Sequence, residues 1–229
     1  IVARYQQVFG IKALIERIST FNEKGSREGG VIWHTTGSGK SFTMVFFSKA
    51  LIWLEELAKC RVIIVTDRVD LETQLSKTFA SGGVLSDRDK SDAMATSGRR
   101  LAQQIGHGNE RVIFSIINKF GSAVKYDECY NDSPNIIVMV DEAHRTQEGD
   151  LGEKMRMALP NAFFFGLTGT PINRVDKNTF ATFGAEEDRT GYMSRYSFSD
   201  SIRDGATLPL HFEPVPVELH VDKEKLDRE

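Results

Sequence analysis

The chain has 229 residues, 40% hydrophobic and 27% charged, which is an ordinary globular composition for one large domain or two small ones. Its formal net charge of −3 argues against a domain that holds nucleic acid by bulk electrostatics, so DNA or RNA contact requires a local patch or other parts of the protein. No apolar run approaches the length of a membrane span, and Cys60 and Cys129 lie far apart without metal-ligand spacing. We therefore expect a cytoplasmic protein with two reduced, buried or half-buried thiols and no membrane partner.

Helical and strand-like segments alternate along the sequence. Apolar positions at helical spacing predict an amphipathic helix over residues 4–22 and further helices over 41–59 and 70–79. Between them lie short apolar runs with few charges, as expected of strands that are covered on both faces. These runs are residues 30–34, 61–66, 112–116, 136–140 and 162–167. The alternation predicts an α/β domain with a mainly parallel sheet and helices on both faces.

Two stretches lack a clear period. Residues 80–97 are rich in Gly, Ser and Asp, which predicts a mobile surface loop. From Tyr192 onward the pattern loosens, and the prolines that follow predict extended edge or connecting segments. The start has neither an initiator Met nor a signal peptide, and the end is a charged run without a closing element. We therefore expect an excised part of a longer protein, with a lobe over residues 1–205 and a connecting segment over 206–229.

Residues 34–41 fit the P-loop pattern, except that His34 stands where the first glycine usually lies. A strand that feeds a tight turn into a helix N-terminus lets backbone N–H groups and the helix dipole hold phosphates. Glycines allow close approach, a lysine can reach the β- and γ-phosphates, and a serine hydroxyl can ligate Mg²⁺. The candidate nucleotide-binding residues are Thr36, Gly37, Ser38, Gly39, Lys40 and Ser41. ATP and Mg²⁺ are accordingly the expected cofactors.

Two adjacent carboxylates, Asp141 and Glu142, follow the apolar run 136–140 directly. Ligands of open α/β sheets bind at the carboxyl ends of the strands, so we expect Asp141 to hold Mg²⁺ and Glu142 to orient and deprotonate the attacking water. Together with Lys40 they are the predicted catalytic residues. The alternative, in which the two carboxylates merely cap the next helix, is weak beside a P-loop.

A third set of polar residues, Thr168, Gly169 and Thr170, follows the run 162–167 in the same way. Two hydroxyls around a glycine can hydrogen-bond the neighbouring carboxylate loop and relay whether a γ-phosphate is present. An ordinary strand-to-loop turn is the plainer interpretation of this segment taken alone.

These three motifs resemble those of superfamily 2 helicases and translocases, with TTGSGKS as motif I, DEAH as motif II and TGTP as motif III. The flanking residues resemble, more narrowly, the R (motor and nuclease) subunit of type I restriction enzymes. The stretches that carry this narrower resemblance are residues 4–7, 32–40, 66–75, 141–147 and 196–207.

The resemblance implies the first RecA-like lobe of a motor that binds ATP and Mg²⁺. It implies that Gln7 reads the adenine, with Gln6 as the alternative register. His144 would join Thr168, Gly169 and Thr170 in coupling hydrolysis to lobe movement. Arg68 and Lys119 would lie near the DNA, although residues 115–117 depart from the threonine-rich form usual there.

The resemblance also implies partners: double-stranded DNA, the specificity and methyltransferase subunits of the same complex, and the protein's own second RecA-like lobe and nuclease domain. The arginine finger would belong to that second lobe. Two alternatives stay open at this point. One is a lobe of another superfamily 2 DNA or RNA helicase, and the other is a nucleotide-binding interaction module that does not hydrolyse ATP.

Overall fold

The computed structural model describes residues 2–22, 25, 27–86, 88–142, 151–170, 183, 188, 190–209, 211 and 213. Its strands are β1 (Gly30–His34), β2 (Arg61–Thr66), β3 (Val112–Ile116), β4 (Ile136–Asp141), β5 (Phe163–Thr168) and β6 (Ser194–Tyr196). Its helices are α1 (Tyr5–Ser19), α2 (Lys40–Trp53), α3 (Val69–Ser81), α4 (Asp89–Ala93), α5 (Gly98–His107), α6 (Ile117–Ala123), α7 (Leu151–Ala158) and α8 (Phe198–Arg203). Short 3-10 turns occupy Glu55–Leu57 and Asp127–Cys129.

Within the described residues, the strands form one six-stranded sheet in the order β3-β2-β4-β5-β1-β6, and every pairing between them is parallel. Strand β1 lies between β5 and β6, with Trp33 opposite both Thr168 and Arg195. Because all strands run the same way, the residues that follow them meet at one edge of the sheet. The predicted parallel α/β architecture is confirmed.

Helices cover both faces of the sheet. Along β2, Ile64 packs in a core with α1, α2 and α3, while its neighbours Ile63 and Val65 pack in a second core with α5, α6 and α7. Successive side chains of a strand point to opposite faces, so the wholly apolar strands are explained by burial on both sides. Phe47 meets Phe165 edge-on in the first core, at 5.5 Å between ring centroids.

The two stretches without a clear period contain more structure than the sequence predicts. Within residues 80–97, Asp89–Ala93 forms α4, and Met94 pairs with Phe114 beside the edge strand β3. The loop prediction is therefore wrong for this part of the stretch. After Tyr192 the chain forms β6 and α8, which were also not predicted. Both are only a few residues long, too short to show a period, and long-range contacts hold them in place.

Both thiols are buried, as predicted, with Cys60 and Cys129 each 1% exposed. Burial raises the pKa of the Cys129 thiol to about 11 and also raises that of Cys60. In the part of the chain that the structure describes, no helix is both long enough and apolar enough to cross a bilayer.

Candidate nucleotide-binding site

The loop between β1 and α2 has the backbone of a phosphate cradle. Gly37 and Gly39 have positive φ angles of 79° and 89°, a region in which side-chain-bearing residues are strained. The Ser38 N–H donates to the Thr35 carbonyl at 3.2 Å and closes the turn before α2 begins at Lys40. A Cβ added at Gly37 would meet no atom within 4 Å, so the space beside this residue is open. This geometry fits a bound phosphate group.

Lys40 brings the loop and the carboxylates together. Its Nζ lies 3.3 Å from the His34 carbonyl oxygen and 3.8 Å from Glu142 Oε1. The Lys40 side chain is 10% exposed and that of Glu142 is 26% exposed, so the pair is partly screened by water. Two residues about a hundred positions apart in the sequence thus share one site at the edge of the sheet.

Asp141 and Glu142 both carry a free-energy cost: Glu142 in its backbone conformation and Asp141 in the burial of its carboxylate. Glu142 has a φ of 50°, and it is the one non-glycine residue with a positive φ among those the structure describes. Such a conformation persists where the surrounding fold imposes it, which is common at functional sites. Asp141 is 8% exposed; burial and the neighbouring Glu142 raise its pKa to about 6, and Lys40 partly opposes this rise. The carboxyl end of β4 therefore concentrates negative charge that a cation would relieve.

Replacing Asp141 with asparagine is expected to raise the free energy of unfolding of the metal-free chain by about 1–3 kcal/mol at neutral pH. The pKa in the folded state, about 6, lies above the ordinary value of 3.8, so ionisation destabilises the fold as pH rises through this interval. The gain is therefore complete above about pH 6 and disappears near pH 4. Urea denaturation in EDTA across this pH range measures it, with the exposed Asp127→Asn as control. Equal stability of the two variants at neutral pH would contradict the assignment.

The segment after β5 packs directly on the phosphate loop. A Cβ added at Gly169 would lie 2.9 Å from Thr36 Oγ1, 3.1 Å from the Thr36 N and 3.3 Å from Lys40 Nζ, so a side chain here would displace the loop or its side chains. Trp33 Nε1 donates to the Gly169 carbonyl at 3.1 Å and tethers the segment to β1. Thr168 is buried, and its Oγ1 accepts from the Thr170 N–H at 3.1 Å.

The structure thus brings Thr168, Gly169 and Thr170 to the predicted place, although their coupling role stays a prediction. The hydrogen bond from Trp33 to Gly169 could not be predicted from the sequence, because no local pattern reports a contact across the sheet. His144 lies outside the described residues.

The two glutamines at the start of α1 both contact the phosphate loop. Gln7 Nε2 donates to the Gly39 carbonyl at 3.0 Å, and Gln7 Oε1 accepts from the Arg4 N–H at 2.8 Å. Gln6 Nε2 donates to the Ser38 carbonyl at 3.3 Å. Gln6 Oε1 is buried, and within the described ranges it has no hydrogen-bond partner. Both ends of the Gln7 amide are therefore engaged, whereas Gln6 retains an acceptor.

His34 occupies the first position of the loop as a strand residue. It is fully buried, its Nε2 lies 3.0 Å from Ser194 Oγ, and its Nδ1 has no partner among the residues described. Burial and the nearby Lys40 lower its pKa to about 4, so the imidazole is neutral at physiological pH. The ring approaches Gly10, where a Cβ would lie 3.3 Å from His34 Cε1. The usual glycine is thus replaced by a side chain that fills space beneath α1.

The predicted DNA-side residues follow β2 and β3 at the same edge of the sheet. Arg68 is exposed and forms a two-bond pair with Asp70, at 3.0 and 2.9 Å, which contributes little in water. Lys119 Nζ lies 3.1 Å from both carboxylate oxygens of Glu72, which is 2% exposed. The charge of Lys119 is thus largely offset within the lobe. The DNA contacts of both residues stay predictions.

A family model described as SWI2/SNF2 ATPase matches residues 6–229 of the chain. The chain is 38% identical over 231 residues to the HindI type I restriction enzyme endonuclease subunit of Haemophilus influenzae, a match that covers 93% of the chain and 21% of the relative. It is 36% identical over 236 residues to a Methanocaldococcus jannaschii protein named as the MjaIXP type I restriction enzyme endonuclease subunit, covering 100% and 21%. The chain therefore spans only about a fifth of the length of these relatives.

Among solved structures, the chain resembles the SWI2/SNF2 ATPase core of Sulfolobus solfataricus in complex with double-stranded DNA. The TM-score is 0.56 at 14% identity, and the match covers 89% of this chain and 38% of that one. At this identity the likeness shows the fold alone. The RecA-like fold predicted from the motifs is confirmed.

Proposed function

Because the chain belongs to the SWI2/SNF2 ATPase family, we propose that it is the first motor lobe of the R subunit of a type I restriction enzyme. In this proposal the lobe binds ATP·Mg²⁺ and contributes to ATP-driven translocation along double-stranded DNA. The observation that carries it is the meeting of Lys40, at the end of a loop whose backbone fits a phosphate, with Glu142, which follows β4; the two charged groups lie 3.8 Å apart. The alternative of another superfamily 2 helicase has weaker support, because the relatives above are restriction subunits.

Phosphoryl transfer depends mainly on positioning and charge stabilisation. Lys40 offsets negative charge at the loop, and the loop N–H groups orient the phosphates. Ser41 and Asp141 would hold Mg²⁺, which, when bound with ATP, neutralises charge on the phosphoryl groups. Glu142 orients the attacking water and accepts its proton. The presence of all four side chains argues against a module that binds nucleotide without hydrolysing it.

Within this proposal Gln6, rather than Gln7, is the better candidate to read the adenine. Its buried Oε1 is without a partner in the described part of the chain, so it can accept from an exocyclic amine. An amine-bearing purine would then be preferred over one with a carbonyl at that position. If Gln6 reads the adenine, Gln6→Ala is expected to raise the KM for ATP more than Gln7→Ala does. A larger rise in KM for Gln7→Ala would favour the other register.

The remaining partners belong to the whole protein, which the relatives suggest is about five times longer. A second RecA-like lobe would supply the arginine finger, and a nuclease domain would cut the DNA. Specificity and methyltransferase subunits would choose the sequence. A cytoplasmic location, where DNA and ATP are available, is part of the same proposal.

The test uses the full-length protein assembled with its partner subunits. A translocase is expected to displace a third strand bound to the duplex in an ATP-dependent way while leaving the duplex paired. A displaced duplex strand would instead favour a strand-separating helicase. Tight ATP binding without detectable turnover would favour the non-hydrolysing module.

A further inference from the structure

The first turn of α1 touches the phosphate loop on one side and α8 on the other. Gln6 and Gln7 donate to the carbonyls of Ser38 and Gly39, at the end of the loop. The residue before them, Tyr5, donates from its hydroxyl to Asp204 Oδ2 at 2.5 Å, just after α8 ends. Three consecutive residues therefore join the end of the loop to the end of α8.

A second connection reaches the beginning of the same loop. The Tyr196 hydroxyl also donates to Asp204 Oδ2, at 3.1 Å. The Tyr196 carbonyl accepts from the Thr35 N–H at 2.9 Å, directly after β1. The Tyr196 ring lies edge-on to His34, at 6.2 Å between centroids. Asp204 is thus linked to both ends of the phosphate loop, through two tyrosines that also meet each other edge-on at 5.9 Å.

The environment of Asp204 favours this arrangement. The two tyrosine hydroxyls lower the pKa of Asp204, as does Arg203, whose Nε lies 3.6 Å from Asp204 Oδ1. Arg203 is two-thirds exposed and also pairs with Asp200, so its ion pair with Asp204 contributes little in water. Asp200 itself is occupied in capping α8, where it accepts from the Ser197 N–H at 2.9 Å.

We propose that Asp204 is a positioning residue that ties α8 to both ends of the phosphate loop through Tyr5 and Tyr196, so that the nucleotide state of the loop is passed to the chain that leaves the lobe. This rests on the proposed function, because residues 206–229 are the segment predicted to connect to a second lobe. A loop that shifts around a phosphate pulls on the carbonyls held by Gln6 and Gln7 and on the Thr35 N–H. Both displacements reach the carboxylate of Asp204, one through Tyr5 and the other through Tyr196.

The test measures DNA-stimulated ATP turnover and translocated distance per ATP in the full-length protein. Asp204→Ala is expected to lower the distance per ATP by about threefold to tenfold, while kcat and KM for ATP change by less than about twofold. Tyr5→Phe and Tyr196→Phe each remove one connection and are expected to have smaller effects. The double variant Tyr5→Phe/Tyr196→Phe is expected to reproduce Asp204→Ala, because both tyrosines act through the same carboxylate.

The matched controls are Asp127→Ala and Tyr130→Phe, which change exposed residues of the same types at or next to the 3-10 turn Asp127–Cys129. They are expected to leave the distance per ATP unchanged. A merely structural role would lower turnover and translocation in parallel, together with the folded fraction measured by circular dichroism. That result, or an unchanged distance per ATP in Asp204→Ala, overturns the proposal. A parent protein without DNA-stimulated turnover would instead refute the proposed function itself.

Discussion

Replacing Glu142 with glutamine in the full-length protein is expected to lower kcat for DNA-stimulated ATP hydrolysis by about 10²- to 10⁴-fold. Glutamine keeps the size and the hydrogen-bonding acceptor of Glu142, but its amide cannot accept a proton from the attacking water. The positive φ of residue 142 is a property of the backbone, so this variant should keep the backbone conformation of residue 142. The dissociation constant for ATP is expected to change by less than about threefold, since binding depends on the phosphate loop.

Single-turnover hydrolysis and equilibrium ATP binding together separate these two effects. Glu153→Gln is the control, since this carboxylate is exposed on α7. A Glu142→Gln enzyme that turns over within about tenfold of the parent would rule out Glu142 as the general base.

The ion pair between Lys119 and the buried Glu72 is expected to contribute strongly to the stability of the lobe. Replacing Lys119 with methionine is expected to lower the free energy of unfolding by about 3 kcal/mol, because Glu72 would remain buried without its cation. Glu72 is 2% exposed, and both its carboxylate oxygens lie 3.1 Å from Lys119 Nζ. The pair joins α3 to α6, so its loss also loosens the segments that follow β2 and β3.

A double variant distinguishes the lost ion pair from lost packing. Glu72→Leu combined with Lys119→Met is expected to recover most of the stability, since neither charge is then left buried. Urea denaturation of the chain measures all three proteins, with the exposed Lys125→Met as control. If Lys119→Met is as stable as Lys125→Met, the pair contributes nothing and Lys119 is free for another role.

Much of the fold could be predicted because its signals are local. The strands β1 to β5 are apolar runs without interior charges, and burial on both faces requires this pattern. The phosphate loop could be placed because glycine adopts the positive φ of residues 37 and 39 without the strain that a side chain would cause. Asp141 and Glu142 followed from their position at the end of β4.

The remaining features depend on contacts between distant parts of the chain. Strand β6 has three residues, and its place beside β1 is fixed by pairing rather than by its own sequence. The contact between Tyr5 and Asp204 joins residues 199 positions apart, and no periodicity reports it. The ion pair of Lys119 with Glu72 was not predicted, because Glu72 lies on another helix, and the DNA contact of Lys119 stays a prediction. Sequence motifs therefore located the candidate site, and tertiary contacts show which of its polar side chains already have partners within the lobe.

The proposed function requires that the loop around Lys40 binds the nucleotide that drives the motor. The most direct test compares DNA-stimulated ATP hydrolysis by the full-length protein with that of its Lys40→Ala variant. We expect turnover in the parent and a loss of at least about 10²-fold in the variant, since the charge that offsets the phosphates is gone. Equal turnover in the two proteins would contradict it.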